Sequence, residues 1–126
     1  MDKKVCLDTD VCIEILKNTE RGRKLLNNIE QCEIYLSTIT IFELFLRKTN
    51  LFPIEILVQK CNILDLDELS AKKAASLFKT LKAKGVMIDL RDLFIASVVL
   101  VNGCSLATLN LKHFSKIEGL VLQATG

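Results

Sequence analysis

Apolar and polar residues follow one another along the chain in two recurring patterns. Short apolar runs bounded by polar residues predict buried strands, and longer amphipathic or apolar stretches predict helices. Strands are predicted at residues 4–7, 33–36, 63–66, 105–108 and 119–122. Helices are predicted at residues 10–17, 20–29, 38–48, 53–60, 70–84 and 90–101.

This alternation of strands and helices predicts a three-layer α/β/α fold around a central, mainly parallel sheet. No repeat, low-complexity segment or linker divides the sequence, so residues 1–126 are expected to form a single domain. Ligands of such sheets bind at the carboxyl ends of the strands. Polar residues that follow strands are therefore the first candidates for a site.

Composition narrows the class of protein. Half of the residues are hydrophobic and a quarter are charged, which indicates a folded chain and not a disordered one. The longest apolar stretch, residues 93–101, is about half the length that a bilayer crossing requires. Without a segment typical of export, we expect a cytoplasmic protein with no membrane partner. The net charge of +2 permits binding to a polyanion without requiring it.

The five cysteines are odd in number and form no Cys-x-x-Cys pair. The only histidine, His113, has no cysteine partners at zinc-binding spacing. We therefore expect buried free thiols, and no zinc site.

Acidic and other polar residues interrupt the apolar pattern just after predicted strands or at predicted helix starts. Because a parallel fold gathers these places at one edge, the residues are expected to lie together. They are Asp8, Asp10, Glu43, Asp89, Asp92, Asn110 and His113.

Each acid by itself fits a helix cap. Asp10 is a plausible N-cap, and Thr40 with Glu43, like Asp89 with Asp92, has the spacing of a capping box or its Asp variant. At any single position capping is the commoner explanation, since caps are so frequent.

Taken together, the acids favour a metal site. Apolar residues surround Glu43 and precede or follow Asp92, and the nearest basic residue to any of the acids is Arg91. Carboxylates in such surroundings lose hydration and repel one another unless a cation is supplied. Mg²⁺ and Mn²⁺ prefer oxygen ligands, so either ion would satisfy three acids from separate segments.

Four segments resemble the PIN-domain ribonucleases, in particular the VapC-type toxins of toxin–antitoxin pairs: "LDTDVCIEIL", "STITIFEL", "DLFIASVVLVNGCSLATLNLKHF" and "IEGLVL". They occur in order and span nearly the whole chain. The resemblance implies an endoribonuclease dependent on Mg²⁺ or Mn²⁺, with Asp8, Glu43 and Asp92 as metal ligands and catalytic residues. It also implies a partner antitoxin and a homodimer.

The same resemblance implies supporting roles for Asp10, Thr108 and Asn110. His113 departs from the pattern, because many family members carry Asp or Glu there; a fourth acidic ligand is therefore not assigned, and His113 is predicted as a supporting residue. Asp89 is interpreted as a cap first and as a supporting residue second.

The surfaces for partners are less well marked. Phosphate-binding candidates are Arg21, Arg23, Arg47 and Lys48, whereas the lysines of residues 72–84 fit a solvated helix face. Apolar residues crowd the segment 51–57, which is either core or a groove for an antitoxin segment or a second subunit.

Three other functions are open. Asp8 and Asp10 loosely fit the nucleophile and the acid/base of haloacid-dehalogenase-like phosphatases. Asp65, Thr108 and Lys112 loosely fit a phospho-receiver signalling domain. A PIN fold that only binds a partner is the third.

Overall fold

The computed structural model describes residues 3–123 as a parallel sheet covered by helices. The strands are β1 (Lys4–Leu7), β2 (Glu33–Ser37), β3 (Asn62–Leu64) and β4 (Ser105–Ala107). The helices are α1 (Thr9–Leu16), α2 (Glu20–Ile29), α3 (Thr38–Phe45), α4 (Leu51–Lys60), α5 (Glu68–Ala83), α6 (Leu90–Val101) and α7 (Leu111–Phe114).

The strand order is β3-β2-β1-β4, and each neighbouring pair is parallel. The chain therefore builds outward from β1 to β2 and β3, and then returns to place β4 on the other side of β1. The loops after β1 and β4 separate at this reversal, which is where open α/β sheets bind ligands.

Alternate strand residues enter two apolar cores, one on each face of the sheet. In β1, Val5 and Leu7 pack into the core that includes residues of α1 to α4, whereas Cys6 packs into the core that includes residues of α5, α6 and α7. The predicted three-layer α/β/α fold is therefore confirmed.

Several predicted elements are shorter in the structure, and helix α7 was not predicted. The strands predicted at residues 63–66 and 105–108 span Asn62–Leu64 and Ser105–Ala107. Helix α3 ends at Phe45 and not at residue 48, because the polar segment that follows turns away, with Asn50 in the left-handed region at φ 60°. The strand predicted at residues 119–122 reduces to a single parallel bridge between Leu122 and Leu106. Gly119, at φ 86°, turns the chain just before it.

The cysteines agree in part with the expectation. Cys6, Cys12 and Cys104 are buried and the other two are half-buried, and all five thiols are free. Burial raises the pKa of Cys61 to about 11, so this thiol stays protonated at neutral pH. Along residues 3–123, no helix is both long enough and apolar enough to cross a bilayer.

Gly22 lets α2 lie directly against the backbone of α1. A Cβ atom there would stand 2.2 Å from the carbonyl oxygen of Glu14, which is backbone and cannot swing aside. We predict that Gly22→Ala lowers the free energy of unfolding, measured in urea, by about 2 kcal/mol or more.

Gly85→Ala is the control, because Gly85 has φ 72° and no atom lies within 4 Å of the place that a Cβ would occupy there. That variant should be destabilised only by the cost of placing alanine in the left-handed region, about 1 kcal/mol. A Gly22→Ala variant as stable as the wild type would contradict the close packing of α1 and α2.

Candidate active site

Asp8 lies where β1 ends, at the reversal of strand order. Its backbone N–H donates to the carbonyl of Ala107 at 2.9 Å, which continues the pairing of β1 with β4 by one residue. The side chain is only 6% exposed. Oδ1 accepts a hydrogen bond from the Thr9 N–H at 2.9 Å, and Oδ2 accepts one from the Thr108 hydroxyl at 2.7 Å. Both carboxylate oxygens are therefore held in place.

The surroundings of Asp8 disfavour its charged form. Burial is the main cause that raises its pKa to about 7, and repulsion from Asp10 and Asp92 adds to it. The hydrogen bonds from Thr108 and Thr9 act in the opposite direction but do not compensate.

Asp10 lies in the first turn of α1 and does not cap it. The N-cap is Asp8, so the alternative explanation of Asp10 as the cap of this helix was wrong. The carboxylate of Asp10 instead accepts from the Leu109 N–H, with oxygens at 3.3 and 3.4 Å, which links α1 to the loop after β4. Burial raises its pKa as well.

Glu43 reaches the same edge from α3. The Thr9 hydroxyl donates to Glu43 Oε1 at 3.0 Å and lies 3.3 Å from the Thr40 hydroxyl. The cap of α3 is Ser37, whose hydroxyl accepts from the Thr40 N–H at 3.1 Å. The capping box, which was the alternative explanation for Glu43, is therefore absent here, and the Glu43 carboxylate is left for other contacts.

Asp89 and Asp92 come from the start of α6. Asp89 caps the helix by accepting from the Arg91 N–H at 2.9 Å, which confirms its predicted role as a cap. Burial raises the pKa of Asp92, and the charges of Asp89 and Glu43 raise it further. Asp92 thus lies within electrostatic reach of Glu43, although the two are 49 positions apart in the sequence.

The predicted supporting residues after β4 form a short chain of contacts. Thr108, which donates to Asp8, accepts from the Asn110 N–H at 2.9 Å. The Asn110 side-chain nitrogen lies 2.9 Å from His113 Nδ1, and the charge of His113 counteracts the shift in the pKa of Asp92. These residues therefore border the acids, as predicted.

The basic residues predicted to bind RNA lie elsewhere or are not tied to the acids. Arg47 borders a cavity of about 310 Å³ with Leu16 and Lys17, at the C-terminal end of α1. The acids gather at the opposite end of that helix. Arg23 on α2 donates to the carbonyl of Asn18 at 2.6 Å. Among residues 3–123, no hydrogen bond or ion pair joins Arg21 or Lys48 to the acidic edge.

Sequence reasoning missed the part that four residues take around the acids: Thr9 donates to Asp8 and Glu43, Thr40 lies against Thr9, Ser37 caps α3 through Thr40, and Arg91 forms loose ion pairs. A signal for three of them was present, since Thr9 stands between two acids and "STIT" carries several hydroxyls just before Glu43. Arg91 stood out only as the nearest basic residue; in the structure it places Nη1 3.7 Å from Glu43 Oε2.

The donor set fits a hard divalent cation in its chemistry. Burial raises the pKa values of Asp8, Asp10 and Asp92, and repulsion from neighbouring carboxylates raises those of Asp8 and Asp92 further, which an oxygen-bound cation would relieve. Their side chains do not converge tightly: within the described part of the chain, no three His, Cys, Asp or Glu side chains are close enough together to hold an ion.

The family model of the PIN domain matches residues 5–120, which includes every acid of this edge. The chain belongs to the PIN-domain family. The tRNA(fMet)-specific endonuclease VapC of Shigella flexneri is 27% identical over 93% of this chain and 94% of its own length. Ribonuclease VapC3 of Methanocaldococcus jannaschii is 35% identical over 73% of this chain and 94% of its own.

A solved PIN-domain structure, the DNA-bound VapBC of Salmonella typhimurium, superposes with a TM-score of 0.87 at 28% identity and covers all of both chains. The resemblance to VapC-type PIN-domain ribonucleases inferred from the four sequence segments is therefore confirmed.

Asp8 should make the metal-free protein less stable as the pH rises. The folded chain holds the proton of Asp8 up to a pKa of about 7, whereas the unfolded chain releases it near the ordinary value of 3.8. The stabilisation is thus complete below pH 4 and is lost between pH 4 and 7. We predict that Asp8→Asn, which cannot ionise, unfolds at a higher urea concentration than the wild type at pH 8 in EDTA. Its free energy of unfolding should be higher by on the order of 3 kcal/mol.

The advantage of the variant should shrink toward pH 5. Asp67→Asn is the control, because the Ser70 N–H lowers the pKa of Asp67. Removing this carboxylate should therefore lower, and not raise, the free energy of unfolding at pH 8. An Asp8→Asn variant with the same pH profile as the wild type would contradict the environment described for Asp8.

Proposed function

We propose that this chain is an endoribonuclease dependent on Mg²⁺ or Mn²⁺, and the toxin component of a type II toxin–antitoxin pair. The observation that carries the proposal is the gathering of Asp8, Asp10, Glu43 and Asp92 at the strand reversal of a PIN domain. The relatives named as an endonuclease and a ribonuclease support RNA hydrolysis as the reaction. The proposed domain spans residues 1–126, of which 1, 2 and 124–126 lie outside the described part.

In this proposal Asp8, Glu43 and Asp92 hold the cation. When bound, the ion supplies Lewis-acid stabilisation of the charge that develops on the scissile phosphate, and it lowers the pKa of water. The contacts of Thr108 and of the Thr9 N–H orient Asp8 for this role, and the Thr9 hydroxyl orients Glu43.

The remaining polar residues act on protons and on geometry. Burial raises the pKa of Asp10 above its ordinary value and the Leu109 N–H holds its carboxylate, so we assign Asp10 a supporting role as a proton acceptor. Asn110 and Thr108 keep the loop after β4 against Asp8. His113 lies where an acid is common in the family, so we assign it a supporting role without metal coordination.

The other functions considered for the sequence fit the geometry less well. In a phospho-receiver the strand that precedes Asp65 would have to lie beside β1, but β3 pairs with β2 at the edge of the sheet. A dehalogenase-like phosphatase needs Asp8 as a free nucleophile, whereas both of its oxygens accept hydrogen bonds in a buried position. A binding module without activity leaves the cost of the buried acids unexplained.

For the antitoxin we propose the surface formed by the exposed apolar side chains of α3 and α4. Phe42 precedes Glu43 on α3, and Leu46 is the first residue after that helix; both are exposed. Phe52 on α4 is 74% exposed, while Ile54 is buried in the core. The segment 51–57 is therefore partly core and partly surface. The VapBC structures are complexes of a toxin with its antitoxin in related proteins, which supports an antitoxin as the partner bound at this surface. The homodimer and the cytoplasmic location remain proposals.

The decisive test is cleavage of a mixed RNA pool by the purified chain with Mg²⁺, with Mn²⁺ and with EDTA. We predict cleavage with either ion, none with EDTA, and a loss of at least about 100-fold in Asp8→Asn, because a ligand that orients the cation is missing. Initial rates from labelled RNA measure the effect.

Asp65→Asn is the matched control, since Asp65 follows β3 and lies two strands away from β1. It should cleave at the wild-type rate. Cleavage in EDTA, or cleavage by Asp8→Asn at the rate of Asp65→Asn, would overturn the proposed function.

A further inference from the structure

Arg91 is a basic side chain that lies at the acidic edge itself. It is the second residue of α6 and lies between Asp89 and Asp92 in the sequence. Nη1 is 3.7 Å from Glu43 Oε2, and Nε is 3.7 Å from Asp89 Oδ1. One guanidinium group thus spans two carboxylates that belong to different helices.

These two contacts are loose. Both distances exceed hydrogen-bonding range, and the Arg91 side chain is 50% exposed. Ion pairs of this kind contribute about 0–1 kcal/mol to stability, so they do not hold the side chain in one position. The contrast with Asp8, fixed through two short hydrogen bonds, indicates that Arg91 is free to exchange partners.

The partner of Arg91 is also a proposed metal ligand. A divalent cation at Glu43 competes with the guanidinium for the same carboxylate, because both are drawn by its negative charge. Occupation of the site by the ion would therefore release Nη1 from Glu43.

A phosphodiester that approaches this edge is repelled by several carboxylates. A positively charged side chain of the protein would offset that repulsion. The guanidinium group stays charged at all working pH values, and its planar fork binds two phosphate oxygens at once. Arg47, one of the basic residues predicted for this task, lies at the far end of α1. Arg91 is already at the edge.

We propose that Arg91 binds the phosphate of the RNA strand at the active site, and that its loose contact with Glu43 is given up when a divalent cation binds Glu43. The inference rests on the proposed endoribonuclease function. It predicts opposite effects of one substitution: Arg91→Gln removes a competitor of the metal and a partner of the RNA.

The test compares the wild type with Arg91→Gln, Arg91→Lys and Lys72→Gln. Lys72 is the matched control because it pairs with Glu68 at 2.7 Å and borders Leu100 and Val101, at the other end of α6. Binding of Mn²⁺ alone is measured by the loss of the free-ion paramagnetic resonance signal. Initial rates on labelled RNA at saturating Mn²⁺ then separate KM from kcat.

We expect Arg91→Gln to bind Mn²⁺ about two- to fivefold more tightly, which corresponds to the loss of an exposed ion pair. Its KM for RNA should rise about tenfold with kcat little changed, as for a contact made equally in the ground and transition states. Arg91→Lys should recover part of the KM, and Lys72→Gln should match the wild type in both measurements.

An unchanged KM in Arg91→Gln, in a protein whose wild type cleaves RNA, would overturn this inference alone. So would an unchanged or weaker affinity for Mn²⁺. If the wild type cleaves no RNA with any ion, the proposed function and this inference fall together.

Discussion

The hydrogen bond from the Thr108 hydroxyl to Asp8 is the contact on which the site depends. It joins residues 100 positions apart in the sequence, and it forms only because β4 lies directly beside β1. The backbone bond from Asp8 to Ala107 extends the same pairing into the loops. Together these contacts fix Asp8 at the point where the strand order reverses. Helices α1, α3 and α6 then place the other acids near it.

This arrangement has an electrostatic cost to stability. Burial raises the pKa values of Asp8, Asp10 and Asp92, and repulsion between carboxylates adds to the shift at Asp8 and Asp92, so the metal-free site disfavours its own charged form. The Thr108 hydroxyl and the Thr9 N–H offset part of that cost at Asp8, and the Leu109 N–H does so at Asp10. A bound divalent cation would offset much more, which is consistent with a site kept for function at the expense of stability.

The local interpretation of the acids was right for one cap and wrong for two. Asp89 caps α6 as its position predicts, because capping depends only on residues next to each other. Asp10 and Glu43 have equally suitable spacing, yet Asp8 and Ser37 take the caps of α1 and α3. Spacing in the sequence does not show where a helix begins, and a shift of one to three residues changes which carboxylate stays free.

The amino-acid pattern by itself determined which segments become strands and helices, and that acids follow the strands, since these features arise from local periodicity and burial. It also carried the four segments typical of the PIN domain. Only the tertiary structure decided that β4 pairs with β1, that Thr9 reaches Glu43, and that Arg91 stands between α3 and α6. These are contacts between distant segments, and they follow from strand order and helix packing, which local pattern does not encode.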